Sequence, residues 1–490
     1  MSTILLVHTL VFIIFWLTNS FFYSSVNDYM AGALGPQLDY ILICLVFSAV
    51  LGVWSAARLV LQRLGHKSGP NWLTAIFTVI YLIFFYGSFT VLFSQDPVQV
   101  SRLGDLLQYF RLFFDVPLLF GLVWVLRRLL LRLITRPNVS ESLLRIGAGL
   151  VLGLAVFGAI SFPPGNVYMS PPGTEPQNPP QLSPKPLLIA HRGASMLAPE
   201  NTVASAERAA QAGAYGLEGD IRISLDGVLF FMHDDTLKRT TNVTTVFPGR
   251  ENENAANFTF SELRQLSAGY WFIQQDPNGS IATGLVQSSD VERYKTELVP
   301  SLAEVLKVVK DKKLVFIFDL IAPPGNHPYF NKFFEICLQQ IKDAGIDNQI
   351  WFLVDGDQLQ KVRAAAPDMT LVAGIDPGAA ALPEILKAQG YTIINTEYSI
   401  PPASIQDYRQ AGFGVNLWTV DEPWQFSRLW LLGVSSITTN NTQSFKNMTE
   451  PFFALPKTTY SYIWGLFSLI ALGLLYYKIP SGEEPEIEKD

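Results

Sequence analysis

Six long apolar runs limit how this chain can fold, because each is close to the roughly 20 residues that cross a bilayer. A segment that crosses must satisfy its own backbone polar groups, so each run is expected to be a helix. With 49% hydrophobic residues and a positive mean hydropathy, the composition is too apolar for an ordinary soluble enzyme. We predict a six-helix transmembrane region, with five helices in residues 1–161 and the sixth near the other end. The spans are residues 4–22, 39–60, 73–93, 112–131, 144–161 and 459–477.

Two of these runs have alternative interpretations. The first resembles a signal peptide in position, but no basic residue precedes it and further apolar runs follow, so we interpret it as a span. The run at 112–131 is interrupted by charges. Arg111 and Asp115 have the spacing of an ion pair on one helix face. Because every charge lies near an end of the run, we favour an interfacial pair over a functional charge buried in the membrane.

The basic residues predict the orientation, since lysine and arginine favour the cytoplasmic side. The loops after the second and fourth spans are basic, whereas the loop at 23–38 has no lysine or arginine. We therefore expect a multi-pass protein of the plasma membrane with both termini cytoplasmic, an acidic tail at 478–490, and an extracellular or lumenal middle section. The basic residues at these span ends and in the loops are Arg58, Arg63, Lys67, Arg127, Arg128, Arg132, Arg136 and Arg145.

Glycosylation triplets agree with this orientation, and we expect a glycoprotein if the source is eukaryotic. A further triplet at Asn138, on the predicted cytoplasmic side, shows that such triplets also arise by chance. Those of the middle section begin at Asn242, Asn257, Asn278, Asn440 and Asn447.

The middle section predicts an α/β domain at residues 187–445, after a Pro-rich linker at 162–186. Short apolar segments alternate there with helical ones. Eight strands over about 250 residues fit a TIM (β/α)8 barrel, although an open doubly wound sheet fits the pattern as well. The predicted strands are 187–190, 215–221, 314–320, 350–354, 369–375, 391–396, 414–420 and 435–439. The predicted helices are 202–212, 301–309, 330–343, 358–365, 382–389 and 422–432.

The charged residues between 190 and 235 predict chemistry on a phosphate ester. His191 and His233 can exchange a proton near neutral pH. Arg192 offers a guanidinium that grips phosphate oxygens in a fork. Glu218 and Asp220 stand two apart on a predicted strand, so both side chains point to one face.

Asp319 follows five consecutive apolar residues at the matching end of the next predicted strand, where a charge is unlikely to serve folding alone. With Glu218 and Asp220 it would offer hard oxygen ligands to a divalent cation. We favour Ca²⁺, which an outward-facing site meets at high concentration, and keep Mg²⁺ as the alternative. A solvated pair of strand-end carboxylates is the simpler interpretation.

Taken together, the motifs resemble those of the glycerophosphodiester phosphodiesterase family. HRG begins at His191, PENT ends at Thr202, E-x-D runs from Glu218 to Asp220, and HD begins at His233 and is followed by TLKRTTN. The family usually has glutamate, one residue and then lysine at the third strand, whereas here Asp319 is followed by leucine and isoleucine. This variant and the apolar runs resemble the multi-span membrane subgroup.

The resemblance implies a TIM barrel with an insertion at 240–298 that caps the barrel mouth. In the simpler interpretation, residues 240–298 are a mobile glycosylated loop. It also implies that His191 and His233 are the catalytic acid–base pair, that Arg192 binds phosphate, and that the three carboxylates bind the metal. Asn201 either caps a helix, which we favour, or contacts the ligand. Trp418 either stacks on a polyol or belongs to the core. We expect His327, which has no partner motif, to lie at the surface.

We therefore predict metal-dependent hydrolysis of glycerophosphodiesters at the outer membrane face. The expected partners are a small-molecule or lipid-linked substrate and the membrane, with no nucleic acid. The resemblance names glycerophosphoinositol, glycerophosphocholine and glycosylphosphatidylinositol anchors as substrates without selecting among them. The rival hypothesis is a catalytically silent ectodomain that binds or signals. A silent copy would tend to lose a histidine or a carboxylate, and all of them are present.

Overall fold

A computed structural model describes most of the chain. The predicted span at 73–93, the acidic tail and much of the Pro-rich linker lie largely or wholly outside the described residues. Contacts divide the described chain into two compact units, one containing the α/β domain and the other containing three long helices. The described residues are 2–18, 39–64, 76, 79, 81, 108–134, 140–162, 164–168, 182–378 and 381–477.

The first unit contains a closed parallel barrel. Its sheet also includes one short antiparallel strand, β3, which extends β2 into a hairpin. The eight parallel strands follow the order β1-β9-β8-β7-β6-β5-β4-β2, and β2 pairs again with β1. The strands are β1 Leu187–Ala190, β2 Gly216–Ile223, β3 Leu229–Phe231, β4 Val315–Leu320, β5 Ile350–Leu353, β6 Thr370–Ile375, β7 Ile393–Glu397, β8 Gly414–Trp418 and β9 Ser436–Thr439.

Barrel closure confirms the predicted TIM-like fold and excludes the open sheet. An open sheet would leave β1 with one neighbour, whereas β1 bonds to β2 on one side and to β9 on the other. Ile189, Ile317 and Val372, from three different strands, form a buried cluster. All eight predicted strands are present, with small shifts at their ends.

Helices follow the strands as the alternation predicts. Local capping fixes where two of them begin, because Thr202 and Ser301 each bond to the backbone three residues ahead in a capping box. Pro402–Gln410 was not predicted, since two consecutive prolines hide a helix that tolerates proline in its first turn. The helices that follow parallel strands are Val203–Gln211, Phe333–Ala344, Gly356–Ala365, Pro383–Ala388, Pro402–Gln410, Pro423–Leu431 and Thr442–Asn447, and Leu302–Lys312 precedes β4.

Residues 240–298 form a packed insertion. Phe230 and Met232, at the end of the β2–β3 hairpin, share one buried cluster with apolar residues of the insertion. The insertion is thus attached to the strand that leads to His233. Its short helices are Val243–Val246, Ala255–Asn257, Phe260–Leu263, Tyr270–Gln275 and Ser288–Tyr294.

Three helices in the described chain are long and apolar enough to cross a membrane, namely Tyr40–Arg63, Ser142–Ser161 and Lys457–Tyr476. The six-helix prediction is therefore not confirmed. Ser2–Thr18 has 17 residues, and Leu112–Leu133 contains Asp115 and three arginines. The predicted pair of Arg111 and Asp115 is present, with Nε 2.8 Å from Oδ2.

The second unit has a core where the helices Leu112–Leu133, Glu141–Ser161 and Lys457–Tyr476 meet, with Trp464 fully enclosed. Part of the predicted linker pairs within this unit, because Val167–Tyr168 and Leu455–Pro456 form a short parallel ladder.

Candidate active site

Three carboxylates converge at the C-terminal ends of two neighbouring barrel strands. Glu218 and Asp220 stand two residues apart on β2, so their side chains share one face. The parallel register pairs Asp220 with Asp319 of β4. One oxygen atom from each residue lies within 4.8 Å of the other two. Glu218 and Asp220 are buried, whereas Asp319 is open to solvent. The residues predicted to bind metal are therefore brought together.

The electrostatics of this cluster fit a hard cation. Burial and the nearby carboxylates of Asp220 and Asp319 raise the pKa of Glu218 well above its usual range. Partial desolvation by the surrounding barrel mouth and the nearby Asp220 carboxylate also raise the pKa of Asp319, to about 6, although its side chain keeps some contact with solvent. Each shift expresses the cost of holding like charges together away from water. A divalent cation would remove that cost, and oxygen donors are the ligands that Ca²⁺ and Mg²⁺ prefer.

Arg192 and Asn201 hold the buried carboxylates in place. The Arg192 backbone N–H donates to Glu218 Oε2 at 2.8 Å, and its Nε lies 3.5 Å from Asp220 Oδ2. Asn201 Nδ2 donates to Asp220 Oδ2 at 2.8 Å, and its Oδ1 accepts from the Asp220 N–H at 3.2 Å. The favoured prediction that Asn201 caps a helix is wrong, because Thr202 is the cap. Asn201 has φ 57° and uses its side chain to orient Asp220.

His191 is held through a neutral amide. Its Nδ1 lies 2.8 Å from Asn440 Oδ1, while Asn440 Nδ2 donates to Asp421 Oδ2 at 2.7 Å. Since the amide NH₂ faces Asp421, the oxygen faces His191, so Nδ1 carries the proton and Nε2 has the lone pair. Burial and the neighbouring Arg192 lower the pKa of His191. The arrangement favours a neutral imidazole that can accept a proton at Nε2.

His233 is held directly by a carboxylate. Its Nδ1 lies 2.8 Å from Asp234 Oδ1, and Arg239 donates to both oxygens of Asp234 at 2.7 and 2.8 Å. Burial alone would raise the pKa of Asp234, but the hydrogen bonds from His233 and Arg239 outweigh it and lower the pKa. Buried Arg222 fixes the loop by donating to the carbonyl of His233 at 2.8 Å. A carboxylate that accepts from the Nδ1–H fixes the orientation of the imidazole ring.

Other predicted positions have mixed outcomes. Trp418, at the end of β8, is 41% exposed, which does not fit a core residue. His327 is buried, so the prediction of a surface position is wrong. Its Nδ1 accepts the Tyr329 N–H at 3.2 Å and its Nε2 donates to the Ala256 carbonyl at 3.1 Å, which ties the loop after β4 to the insertion. The Asn440 triplet is a poor glycan acceptor in the folded protein, because its amide is engaged with Asp421.

The sequence interpretation missed Asp421, Asn440 and Arg239. Asp421 and Asn440 lie 19 residues apart, after different strands, and only barrel closure brings them to His191. Arg239 falls in the TLKRTTN run, which gives no direction for its side chain. A usable signal was that all three follow the C-terminal end of a strand, where barrel active sites are built.

Comparisons with known proteins place the site within one family. Residues 191–444 match the Glycerophosphoryl diester phosphodiesterase family. Glycerophosphodiester phosphodiesterase domain-containing protein 5 of Gallus gallus is 38% identical over 291 residues, which are 59% of this chain and 47% of that protein. Glycerophosphoinositol inositolphosphodiesterase GDPD2 of Mus musculus is 36% identical over 295 residues, 60% of this chain and 53% of that protein. The chain thus spans about half the length of these curated relatives.

Among solved structures, an Oleispira antarctica phosphodiesterase in complex with the product sn-glycerol-3-phosphate is 23% identical. The match has a TM-score of 0.44 and covers 53% of this chain and 95% of that structure.

Proposed function

This chain belongs to the glycerophosphoryl diester phosphodiesterase family, and we propose that it hydrolyses glycerophosphodiesters with the help of a divalent cation. The observation that carries the proposal is the pair of histidines, each held by a different kind of partner, beside three convergent carboxylates. General acid–base catalysis needs one group ready to accept a proton and another ready to donate one.

Glu218, Asp220 and Asp319 would hold the cation, with Ca²⁺ favoured over Mg²⁺. The bound cation would offset the negative charge that grows on the phosphoryl oxygens. Asn201 keeps Asp220 oriented, and the Arg192 backbone keeps Glu218 oriented. Arg192, Asn201 and Trp418 are the proposed substrate-binding residues, with the Arg192 guanidinium directed to phosphate and the exposed ring of Trp418 to the polyol.

His191 serves as the general base. With its Nδ1 proton directed at Asn440, its Nε2 takes the proton of a substrate hydroxyl as that oxygen forms a bond to phosphorus. His233 serves as the general acid. With Nδ1 held by Asp234, its Nε2 proton passes to the leaving alcohol as the P–O bond of that alcohol breaks. The products of this step are the free alcohol and a cyclic phosphate, which water opens while the two histidines exchange roles.

The proposed substrates carry a glycerol with a free hydroxyl next to the phosphate. Glycerophosphoinositol is the first to test, since the mouse relative is a glycerophosphoinositol inositolphosphodiesterase. Glycerophosphocholine and glycosylphosphatidylinositol anchors are the further candidates. We place the barrel on the extracellular or lumenal side, which the basic loops at the opposite ends of the spans support.

The test uses the full chain in detergent or nanodiscs. Purified protein is incubated with glycerophosphoinositol and glycerophosphocholine, with Ca²⁺ or with chelator, and the products are identified by mass. We expect cation-dependent product from the wild type and a rate at least about 100-fold lower from His233→Ala. A folded, Ca²⁺-binding protein that turns over neither these diesters nor anchored reporters would contradict the proposal and favour the silent ectodomain. The identity of the product tells which P–O bond breaks.

A further inference from the structure

An unbroken chain of charged side chains joins Arg192 to His233. Arg192 Nη1 donates to Glu200 Oε1 at 3.0 Å. Arg239 then contacts both oxygens of Glu200, at 3.0 and 2.7 Å, and both oxygens of Asp234. Asp234 Oδ1 in turn accepts a hydrogen bond from Nδ1 of His233. Arg239 thus grips two carboxylates at once, each by two hydrogen bonds.

We propose that Arg239 is a positioning residue that holds His233 as the proton donor. Trp271 of the insertion in turn sets the position of the Arg239 guanidinium. The inference rests on the proposed function, since it assigns a residue to the acid side of that reaction. Neither Arg239 nor Trp271 is among the residues that would contact substrate or metal.

The geometry of the guanidinium explains why an arginine is needed. Its planar fork matches a carboxylate with two parallel bonds, and a lysine ammonium cannot reproduce that match at two carboxylates. Without the fork, Asp234 and Glu200 are two negative groups with nothing rigid between them. Asp234 would then rotate, and the His233 ring that it holds would rotate with it.

The insertion supplies the surface on which Arg239 rests. The Arg239 guanidinium lies 5.6 Å from the ring of Trp271, a distance at which a cation is attracted to an aromatic face. Trp271 is buried and packs edge-on against Phe272, with ring centroids 6.0 Å apart. Ala268 of the insertion also lines the same cavity as His233. The insertion therefore contacts Arg239 through Trp271, and Arg239 in turn holds Asp234, the partner of His233.

If Arg239 has this role, its replacement should slow some esters more than others. Protonation of the leaving oxygen matters only when the alcohol is a poor leaving group. An ordinary alcohol needs the proton, whereas p-nitrophenolate leaves without it. Damage to the positioning of His233 should slow the first kind of ester and spare the second. Damage to the barrel or to the carboxylate cluster should slow both.

The experiment compares Arg239→Lys with wild type in the full chain, using glycerophosphoinositol and glycerol p-nitrophenyl phosphate. We expect kcat to fall by about 10- to 100-fold on the first ester and by less than about threefold on the second. Arg250→Lys is the matched control, since Arg250 also bonds two carboxylates, of Glu253 and Glu262, and lies over the Phe258 ring. It should leave both rates unchanged.

Trp271→Leu provides a second variant if Arg239→Lys yields too little folded protein, because it leaves the ion pairs in place. It should show the same selectivity with a smaller loss. In a His233→Ala background, Arg239→Lys should cost nothing further. Equal losses on both esters, or no loss on either, would overturn the positioning role. A wild-type protein that hydrolyses neither ester would instead overturn the proposed function.

Discussion

His191 follows β1 and His233 follows β3, and the two histidines differ in what holds them. A neutral amide, Asn440, accepts from His191, and burial lowers the pKa of that histidine. An ionised carboxylate, Asp234, accepts from His233, which has a side chain that is 44% exposed. We propose that these partners make one imidazole the proton acceptor and the other the proton donor. On this proposal, the partner of each histidine, rather than the histidine itself, assigns its role.

The largest effect is expected from the carboxylate cluster, which the proposed base and the proposed acid share. Asp220→Asn removes a charge from the carboxylate cluster while keeping its shape. We expect activity to fall by about a thousandfold on both alkyl and p-nitrophenyl esters, since a cation supplies several kcal/mol of charge stabilisation. Isothermal titration should show weaker Ca²⁺ binding in the same variant. A loss confined to one ester would mean that the cluster serves one histidine only.

A smaller effect is expected on the base side alone. Asn440→Ala removes the acceptor that fixes the proton of His191 on Nδ1. We expect kcat/KM to fall by about 10- to 100-fold on both esters. Both esters need the same deprotonated hydroxyl to attack phosphorus, whatever their leaving group. Steady-state kinetics with the two esters measure this. A loss confined to the alkyl ester would show that Asn440 acts on the acid step and not on the base step.

The pH dependence of stability sharpens the description of the cluster beside His191. The pKa of Asp319 is raised from 3.8 to about 6 in the folded, cation-free protein. Its protonated form therefore contributes stability that is full below its unfolded pKa and is lost as the pH rises through about 6. Bound Ca²⁺ should compensate, so it should raise the melting temperature more at about pH 7.5 than at about pH 5. Asp319→Asn should flatten that dependence, and an equal shift at both pH values would contradict it.

The smallest effect concerns stability without chemistry. Thr202→Ala removes the cap of the helix Val203–Gln211 and should cost about 1 kcal/mol of unfolding free energy. Thermal unfolding measures the loss. The ratio of the two ester rates should stay at the wild-type value. A changed ratio would mean that helix packing, and not the partner of each histidine, sets the balance between base and acid.

The strands and the carboxylate positions were predictable because they follow local rules, whereas the barrel was predicted over an open sheet only from the family resemblance. Apolar segments bounded by polar ones gave the eight strands, and the two-residue spacing of Glu218 and Asp220 placed both on one face. Asp319 was predictable for the same reason, since parallel strands end at the same edge. These inferences need no knowledge of side-chain direction across long separations.

The partners of the histidines were not predictable, because they depend on closure of the barrel and on side-chain geometry. Asn440 was predicted as a glycan acceptor and Asp421 was not singled out, because only the pairing of β9 with β1 brings them to His191. Asn201 was assigned to a cap because asparagine is common there, but Thr202 bonds the helix and frees Asn201 to orient Asp220. His327 is buried by the insertion, whose packing was not evident from its polar sequence.

The most direct test of the two-histidine account measures kcat for His191→Ala and His233→Ala on glycerophosphoinositol and on glycerol p-nitrophenyl phosphate. The account predicts that His191→Ala loses about 100-fold or more on both esters, because neither ester can react until the attacking hydroxyl is deprotonated. It predicts that His233→Ala loses as much on glycerophosphoinositol but keeps most of its rate on the p-nitrophenyl ester. Recovery of His191→Ala on the p-nitrophenyl ester, or equal losses in both variants, would contradict the assignment of base and acid.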